Sequence, residues 1–498
     1  MPTLAAQIAV VSSGAAFILC VLYIAAFRPV IFIGFFFILF SLVWRTISTM
    51  FIDLDGPVWS SQTLRYIGPG LATPLHTLAY FIVLVPFFLL LRPASINGWL
   101  QEIDQRTAPR GTMTLSGATA AVSLLFVAYL FLELALHPPI PLFAQIERFV
   151  YTAQYAGSAH RWLVRYGNFV TFWWGVMFAA ERLRNRRFDL RYPLLLGVLL
   201  FYMFLTGNRF SAFYSFLSFF MIALSAVIAA EITNDRSGKP FHWVRRTFNR
   251  RDLVILGTVV SLTSIVVGVA IYNNLVNVRA AEDPNILSEF WDRLLVQPSE
   301  LGWISYERVF SFGHWQPDRV YDFLFQAPID AAKNTTPQYL MLETIGEPRT
   351  FEHIMGGFQF AGGFPEIFFE LFGPIYAWPF ILGASYISAA LTALVIKGVI
   401  QGRYASAFLA LYVLFGFYVM YIGGMLNFIA VESFWIKVAA LATALLLEGT
   451  LARAGLALLP WTLLRLPYSP RDRQALARST SKFGEPSDVV AEAMTTRP

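Results

Sequence analysis

Apolar runs long enough to cross a lipid bilayer recur along the whole chain, and that recurrence restricts its fold more than any other feature. A hydrocarbon core about 30 Å thick needs about twenty apolar residues in a helix. By that criterion the sequence supplies about eleven spans, at 5–27, 29–51, 70–91, 113–136, 166–181, 192–207, 209–230, 253–275, 373–396, 404–424 and 434–458. With 57% hydrophobic and 14% charged residues and a mean hydropathy of +0.58, the chain cannot be packed as a water-soluble globule. Backbone in lipid must satisfy its own hydrogen bonds, so the expected fold is an all-α polytopic integral membrane protein. Its expected organisation is eight helices over 1–275, a long outer loop of helical segments over 276–363, three helices over 364–458, and a cytoplasmic, partly disordered tail over 459–498.

Short loops rich in Lys and Arg stay on the cytoplasmic side. Arg182, Arg184, Arg186, Arg187 and Arg191 fill one such turn, and Arg236, Lys239, Arg245, Arg246, Arg250 and Arg251 fill another two spans later. Both are expected in the cytoplasm, together with Arg92, Arg106, Arg110, Lys397, Arg403 and the tail arginines. The N-terminus and the long loop then lie outside. The net charge of +6 reports this topology and a lipid surface rather than nucleic acid. Cys20, the single cysteine, sits inside the first apolar run, so no disulfide forms within one chain. That first run lacks a basic leader and a cleavage site, and is expected to be a retained helix.

The outer loop is far longer than a connector needs. Between 276 and 363 it carries twelve carboxylates against six lysines and arginines, so it is not a basic docking patch. Asp283-Pro284 reads as a helix start, Leu301, Ile304 and Arg308 continue a helical pattern, and Pro317 opens another with Tyr321, Leu324 and Phe325. Beyond Pro328 the chain reads as irregular through Asn334-Thr335-Thr336-Pro337 and Glu347-Pro348-Arg349. An earlier outer segment, 137–165, places Leu142, Phe143, Ile146, Phe149 and Val150 at the spacing of an interfacial amphipathic helix.

Several charges lie where lipid makes them costly. Arg209, in Thr206-Gly207-Asn208-Arg209-Phe210, stands at the outer junction of two spans with almost no loop between them. A guanidinium there suits a lipid-linked phosphate or diphosphate, which it grips bidentately; snorkelling or a structural ion pair is the competing account. Arg45, toward the outer end of the second span, admits the same two readings, with structural pairing favoured. Arg279 and Arg349 flank the long loop and are placed to converge on the same anion, unless they are solvated surface groups. His353 precedes the return to the membrane and can donate to an anionic leaving group or orient a hydroxyl. Glu366 and Glu370 share a helix face at i, i+4, as a general base or as anchors of a helix N-terminus. Gly362-Gly363, Pro365 and Gly373-Pro374 argue for a broken or re-entrant helix. No H-E-x-x-H or comparable spacing suggests zinc, and no metal or cofactor is expected.

The outer-junction Gly207-Asn208-Arg209, the single dominant late loop and the closing segment Gly363-Phe364-Pro365-Glu366 to Glu370-Leu371-Phe372-Gly373 resemble the bacterial O-antigen polymerases, the oligosaccharide repeat-unit polymerases. A more distant likeness is to the O-antigen ligases. The resemblance implies a metal-independent, inverting glycosyltransferase of the bacterial inner (cytoplasmic) membrane. It would transfer a glycan from one polyprenyl diphosphate to a sugar hydroxyl on another lipid-linked unit. It implies that Arg209, with Arg279 or Arg349, neutralises the departing diphosphate, and that Glu366, Glu370 or His353 activates the acceptor. It also implies membrane lipid, a chain-length regulator and a flippase as partners, and no nucleic acid. Trp291, Trp303, Tyr306, Trp315 and Tyr321 are expected as sugar-stacking or interfacial-belt residues. A ligase is the nearest alternative. A flippase or transporter is a different class, disfavoured by few mid-span charges and no repeated halves.

Overall fold

A computed structural model describes residues 3–60, 63–104, 115–144, 146, 150–185, 190–207, 210–232, 239–247, 254, 257–258, 261, 291–292, 294–315, 319–326, 329, 335–355 and 363–453. Helix dominates them. In chain order the helices that matter are α1 (Leu4–Phe27), α2 (Pro29–Gly34), α3 (Phe36–Asp55), α4 (Ala72–Leu90), α5 (Leu115–Leu136), α6 (Ser158–Asn185), α7 (Arg191–Leu205) and α8 (Phe210–Ile232). They are followed by α9 (Glu300–Tyr306), α10 (Arg319–Phe325), α11 (Thr335–Ile345), α12 (Glu347–Met355), α13 (Glu366–Gln401), α14 (Tyr404–Gly423) and α15 (Glu432–Arg453). An antiparallel ribbon, β1 (Val58–Ser60) with β2 (Arg65–Ile67), pairs Trp59 with Tyr66 between α3 and α4.

Among the described residues seven helices are long and apolar enough to cross a membrane, those beginning at Leu4, Phe36, Ala72, Ser116, Glu366, Tyr404 and Glu432. Two more, Arg191–Leu205 and Ser215–Ala229, are apolar but shorter. The expected span at 166–181 lies inside α6, and the one at 253–275 falls almost wholly outside the described residues. The run at 29–51 is not one helix: Pro29 opens α2, the chain bends at Phe35, and α3 continues to Asp55. Large apolar side chains such as Leu4, Leu125, Leu136, Ile375 and Leu446 point outward, which suits lipid rather than water.

The core forms where α13 packs on α4 and α14, and where α8 packs on α6 and α2. Phe35 is its aromatic hub, tilted against Phe87 at 4.2 Å and edge-on to Tyr421 at 5.8 Å between ring centroids. On one end of α3, α4 and α13 rests a cap of shorter helices, with α9 touching all three. Side chains of α3 hold the strand of chain leading into it: Trp44 Nε1 donates to Leu294 O at 2.9 Å, and Ser48 Oγ to Leu295 O at 2.8 Å. The ribbon ties to the cap as well, through Ser60 Oγ donating to Glu300 Oε2 at 2.6 Å and Arg65 to Glu307 at 2.7 Å.

The cap corrects one expectation. The stretch read as irregular between Pro328 and Arg349 holds two helices, α11 and α12, joined at Gly346. Its prolines were misleading because Pro337 and Pro348 both fall in a first helical turn, where the missing N–H would have had no intrahelical partner. The amphipathic helix expected from Leu142 to Val150 is described only in part, as a short turn of helix at Pro141–Ala144 and a π-turn at Tyr151–Tyr155. The break at Gly373-Pro374 is present: Gly373 has φ +74° inside α13, so Glu366–Phe372 is a separate short helix ahead of the long span. Glycine is needed there for the backbone, and the Trp315 ring covers its open face while Trp315 Nε1 donates to Leu371 O at 3.1 Å.

Candidate functional site

Six carboxylates are buried among the described residues: Asp53, Glu133, Glu300, Glu366, Glu370 and Glu448. Three of them have an evident structural task, because each accepts from the free N–H groups that begin another helix. Asp53 accepts from Thr73 N and Thr73 Oγ1, both at 2.7 Å, at the start of α4, and from Trp303 Nε1 of the cap at 3.0 Å. Glu133 accepts from Ala159 N and His160 N at the start of α6, and Glu448 from Ala405 N and Ser406 N at the start of α14. Glu366 and Glu370 are set against arginines, Arg45 and Arg308. They stand on the short helix before the Gly373 break and face cations.

Glu366 is 0% exposed and pairs with Arg45, itself 4% exposed. The Arg45 guanidinium is gripped on every edge: Nη2 donates to Glu366 Oε1, Nη1 to Phe364 O, and Nε to Pro298 O at 3.0 Å. Ser299 Oγ returns a bond to Arg45 O at 2.8 Å. One buried residue therefore joins α3, the approach to α9 and the start of α13. Gly302 of α9 lies directly over this pair. A Cβ there would fall 2.6 Å from His76 Cε1 and 3.0 Å from Glu366 Oε1, so only glycine permits the approach.

His76 and Tyr80 complete the cluster from α4. They are one turn apart, fully buried, and within reach of the Arg45 charge. The His76 ring stacks on Phe369 at 6.3 Å and the Tyr80 ring on Phe364 at 6.3 Å. His76 Nε2, Tyr80 OH and Glu366 Oε2 have no hydrogen-bond partner among the described residues. One turn farther along, Glu370 Oε2 lies 3.7 Å from Arg308 Nη2, and Arg308 also donates to Glu343 at 2.9 Å. Arg308 thus links the π-turn Glu307–Ser311, which follows α9, to α11 and α13.

The structure brings together Arg45 and Glu366, with Glu370 one turn away. His353 and Arg349 lie on α12, which packs on α11, with His353 half-buried and Arg349 exposed. Their helix reaches the cap through Ile354, packed with Leu301, Leu340 and Met341. Arg209 and Arg279 lie outside the described residues. Of the aromatics, Trp303 is buried on Asp53 and Trp315 covers Gly373, whereas Trp291 and Tyr321 are exposed. Sequence reasoning missed His76, Tyr80 and Arg308. His76 is the sole histidine within an expected span, a polar residue in an apolar run, and that was the available sign.

The fold and this cluster define a helical membrane protein with a charged, buried site beneath a cap. Residues 330–436 match the model of DUF6418, a family of unknown function. That stretch takes in Arg349, His353, Glu366 and Glu370 but not Arg45. No curated protein and no solved structure matches the chain.

Proposed function

We propose that this chain is a membrane glycosyltransferase that polymerises polyprenyl-diphosphate-linked oligosaccharide repeat units at the outer face of a bacterial inner membrane. The observation that carries the reading is the gathering of Arg45, Glu366, Arg308 and Glu370 where the chain returns to the bundle beneath its cap. Charges held near membrane depth by a broken helix are where lipid-anchored polar substrates meet protein.

In the proposed step the acceptor hydroxyl oxygen attacks the anomeric carbon of the donor sugar from the side opposite the diphosphate. The bond from that carbon to the diphosphate oxygen breaks, the diphosphate leaves with the electron pair, and the hydroxyl proton passes to a carboxylate. Glu370 suits the role of base better than Glu366, because it stands one turn farther along the same short helix whereas Glu366 is locked to Arg45. Arg45, enclosed by three acceptors, positions Glu366 and the cap rather than gripping a phosphate. Charge on the leaving diphosphate falls to Arg209, Arg279 and Arg349, with Arg308 added from its place beside Glu370. A diphosphate is a good leaving group, so positioning and charge stabilisation supply most of the catalysis. His353 remains a candidate for orienting the acceptor from α12.

The experiment is glycan-length analysis in a deletion strain complemented with this chain. The unaltered chain restores long polymer, Arg209→Ala leaves only single-unit capped lipid while the protein stays in the membrane, and Arg209→Lys retains little activity. Near-normal chain length in Arg209→Ala would remove the diphosphate role from that residue. Uncapped lipid-linked polymer accumulating in the deletion strain would mark a ligase.

A further inference from the structure

We infer that the ribbon β1–β2 is a membrane-interface anchor whose partner is the headgroup zone of the phospholipid leaflet on the cap side. Alternation along its two short strands gives the ribbon two faces. Ser60 and Ile67 are buried on the inner face, where Val58 and Ile67 pack with Ile52 and Trp303. Trp59 and Tyr66 stand opposite each other on the outer face, edge to face with ring centroids 5.2 Å apart. Trp59 is 47% exposed and Tyr66 67%, and Leu64, in the turn joining the strands, is exposed as well.

Position and chemistry together name the partner. The ribbon joins the end of α3 at Asp55 to the start of α4 at Ala72, and both helices are long and apolar enough to cross a membrane, so it lies where two spans leave the lipid. Leu71, Leu78 and Val85 recur every seven residues and expose one apolar stripe along α4, as Phe40 and Ile47 do on α3. Leu71 follows Ile67 by four residues, so the lipid-facing stripe of α4 reaches the end of the ribbon. A solvated strand face is ordinarily polar. Trp and Tyr instead combine an apolar ring with a polar tip, and that combination concentrates at the boundary between membrane and water. The inner face passes the anchorage to the cap: Ser60 Oγ donates to Glu300 of α9, and Arg65 pairs with Glu307. The ribbon thereby holds the base of the cap at the lipid surface, whether or not the chain transfers glycans.

An exposed aromatic pair also suits stacking on a sugar ring, so the test separates lipid from glycan. Full-length protein carrying Cys20→Ala and Leu64→Cys, with Trp59 and Tyr66 intact, is labelled at position 64 with an environment-sensitive fluorophore in phosphatidylcholine nanodiscs. Two quenchers are compared, aqueous iodide and a lipid bearing a nitroxide near the top of its acyl chain. Glu352→Cys, at an exposed position on α12, serves as the water-facing reference. The expected result is that lipid nitroxide outdoes iodide at position 64, whereas iodide outdoes lipid nitroxide at position 352. Adding Trp59→Ser with Tyr66→Ser should abolish the lipid quenching at position 64. Position 64 with both aromatics present decides the matter even if that double variant fails to fold. Quenching there by iodide alone, as at position 352, overturns the inference, and so does lipid quenching that persists in the folded double variant. Iodide quenching that a soluble maltooligosaccharide suppresses would overturn it in favour of a glycan.

Discussion

At the residue scale the account turns on Arg45 and Glu366. A buried ion pair costs much of its Coulomb attraction in desolvation, and breaking it is worse than never having it, because the surviving charge is stranded. Arg45→Ala or Glu366→Ala is therefore expected to lower stability by about 3–5 kcal/mol. The joint change Arg45→Met with Glu366→Leu should cost less than either single change, although not nothing, since the Pro298 and Phe364 carbonyls lose their donor. Thermal unfolding in detergent reads this directly, and simple additivity of the two single effects would show that the residues act independently. Gly302→Ala is expected to destabilise by about 1–3 kcal/mol, as overpacking does, because its methyl group would collide with His76 and Glu366. Sequence singled out Arg45 and Glu366 separately, with structural pairing favoured for Arg45 and a general base or helix anchor as the two readings of Glu366. Their partnership was invisible because 321 residues separate them. His76 escaped because a lone histidine in an apolar run has no spacing to give it away.

At the element scale the recurring device is a carboxylate from one helix closing the N-terminus of another: Asp53 on α4, Glu133 on α6 and Glu448 on α14. Lipid offers no water to the free N–H groups of a helix start, so these carboxylates spare the bundle a solvation penalty while fixing neighbouring helices. Asp53→Ala is expected to cost at least the ~1 kcal/mol of an ordinary N-cap, and more than Asp53→Asn, which keeps an acceptor for Thr73. A hydrogen-exchange measurement should show faster exchange at Ala72 and Thr73 in the alanine variant, and unchanged protection there would refute the capping role. None of these caps was legible, since each joins residues from different spans. The helix break at Gly373-Pro374 was legible because glycine followed by proline marks it locally. The cap helices α11 and α12 were not, because a proline in a first turn looks the same in sequence as one that ends a helix.

At the scale of the whole molecule, hydropathy carried the class of fold, and composition alone was enough for that. Short or broken spans are where length alone says least about the number of crossings: among the described residues α7 is apolar but short, and the run at 29–51 divides at Phe35. The orientation expected from the cationic turns is open to a direct check. With Cys20 replaced by alanine, a membrane-impermeant thiol reagent on intact cells should label Tyr321→Cys in the cap but not Lys239→Cys, both exposed positions. The reverse pattern would place the cap in the cytoplasm and remove it from lipid-linked glycans at the outer face. The central claim, glycan transfer between lipid-linked units, is tested most directly by reconstituting the purified chain into liposomes with a polyprenyl-diphosphate-linked oligosaccharide and no metal. The account predicts lipid-linked glycans lengthened by whole repeat units, with free polyprenyl diphosphate released one for one. Movement of the lipid-linked glycan across the bilayer with no lengthening and no released diphosphate would contradict it.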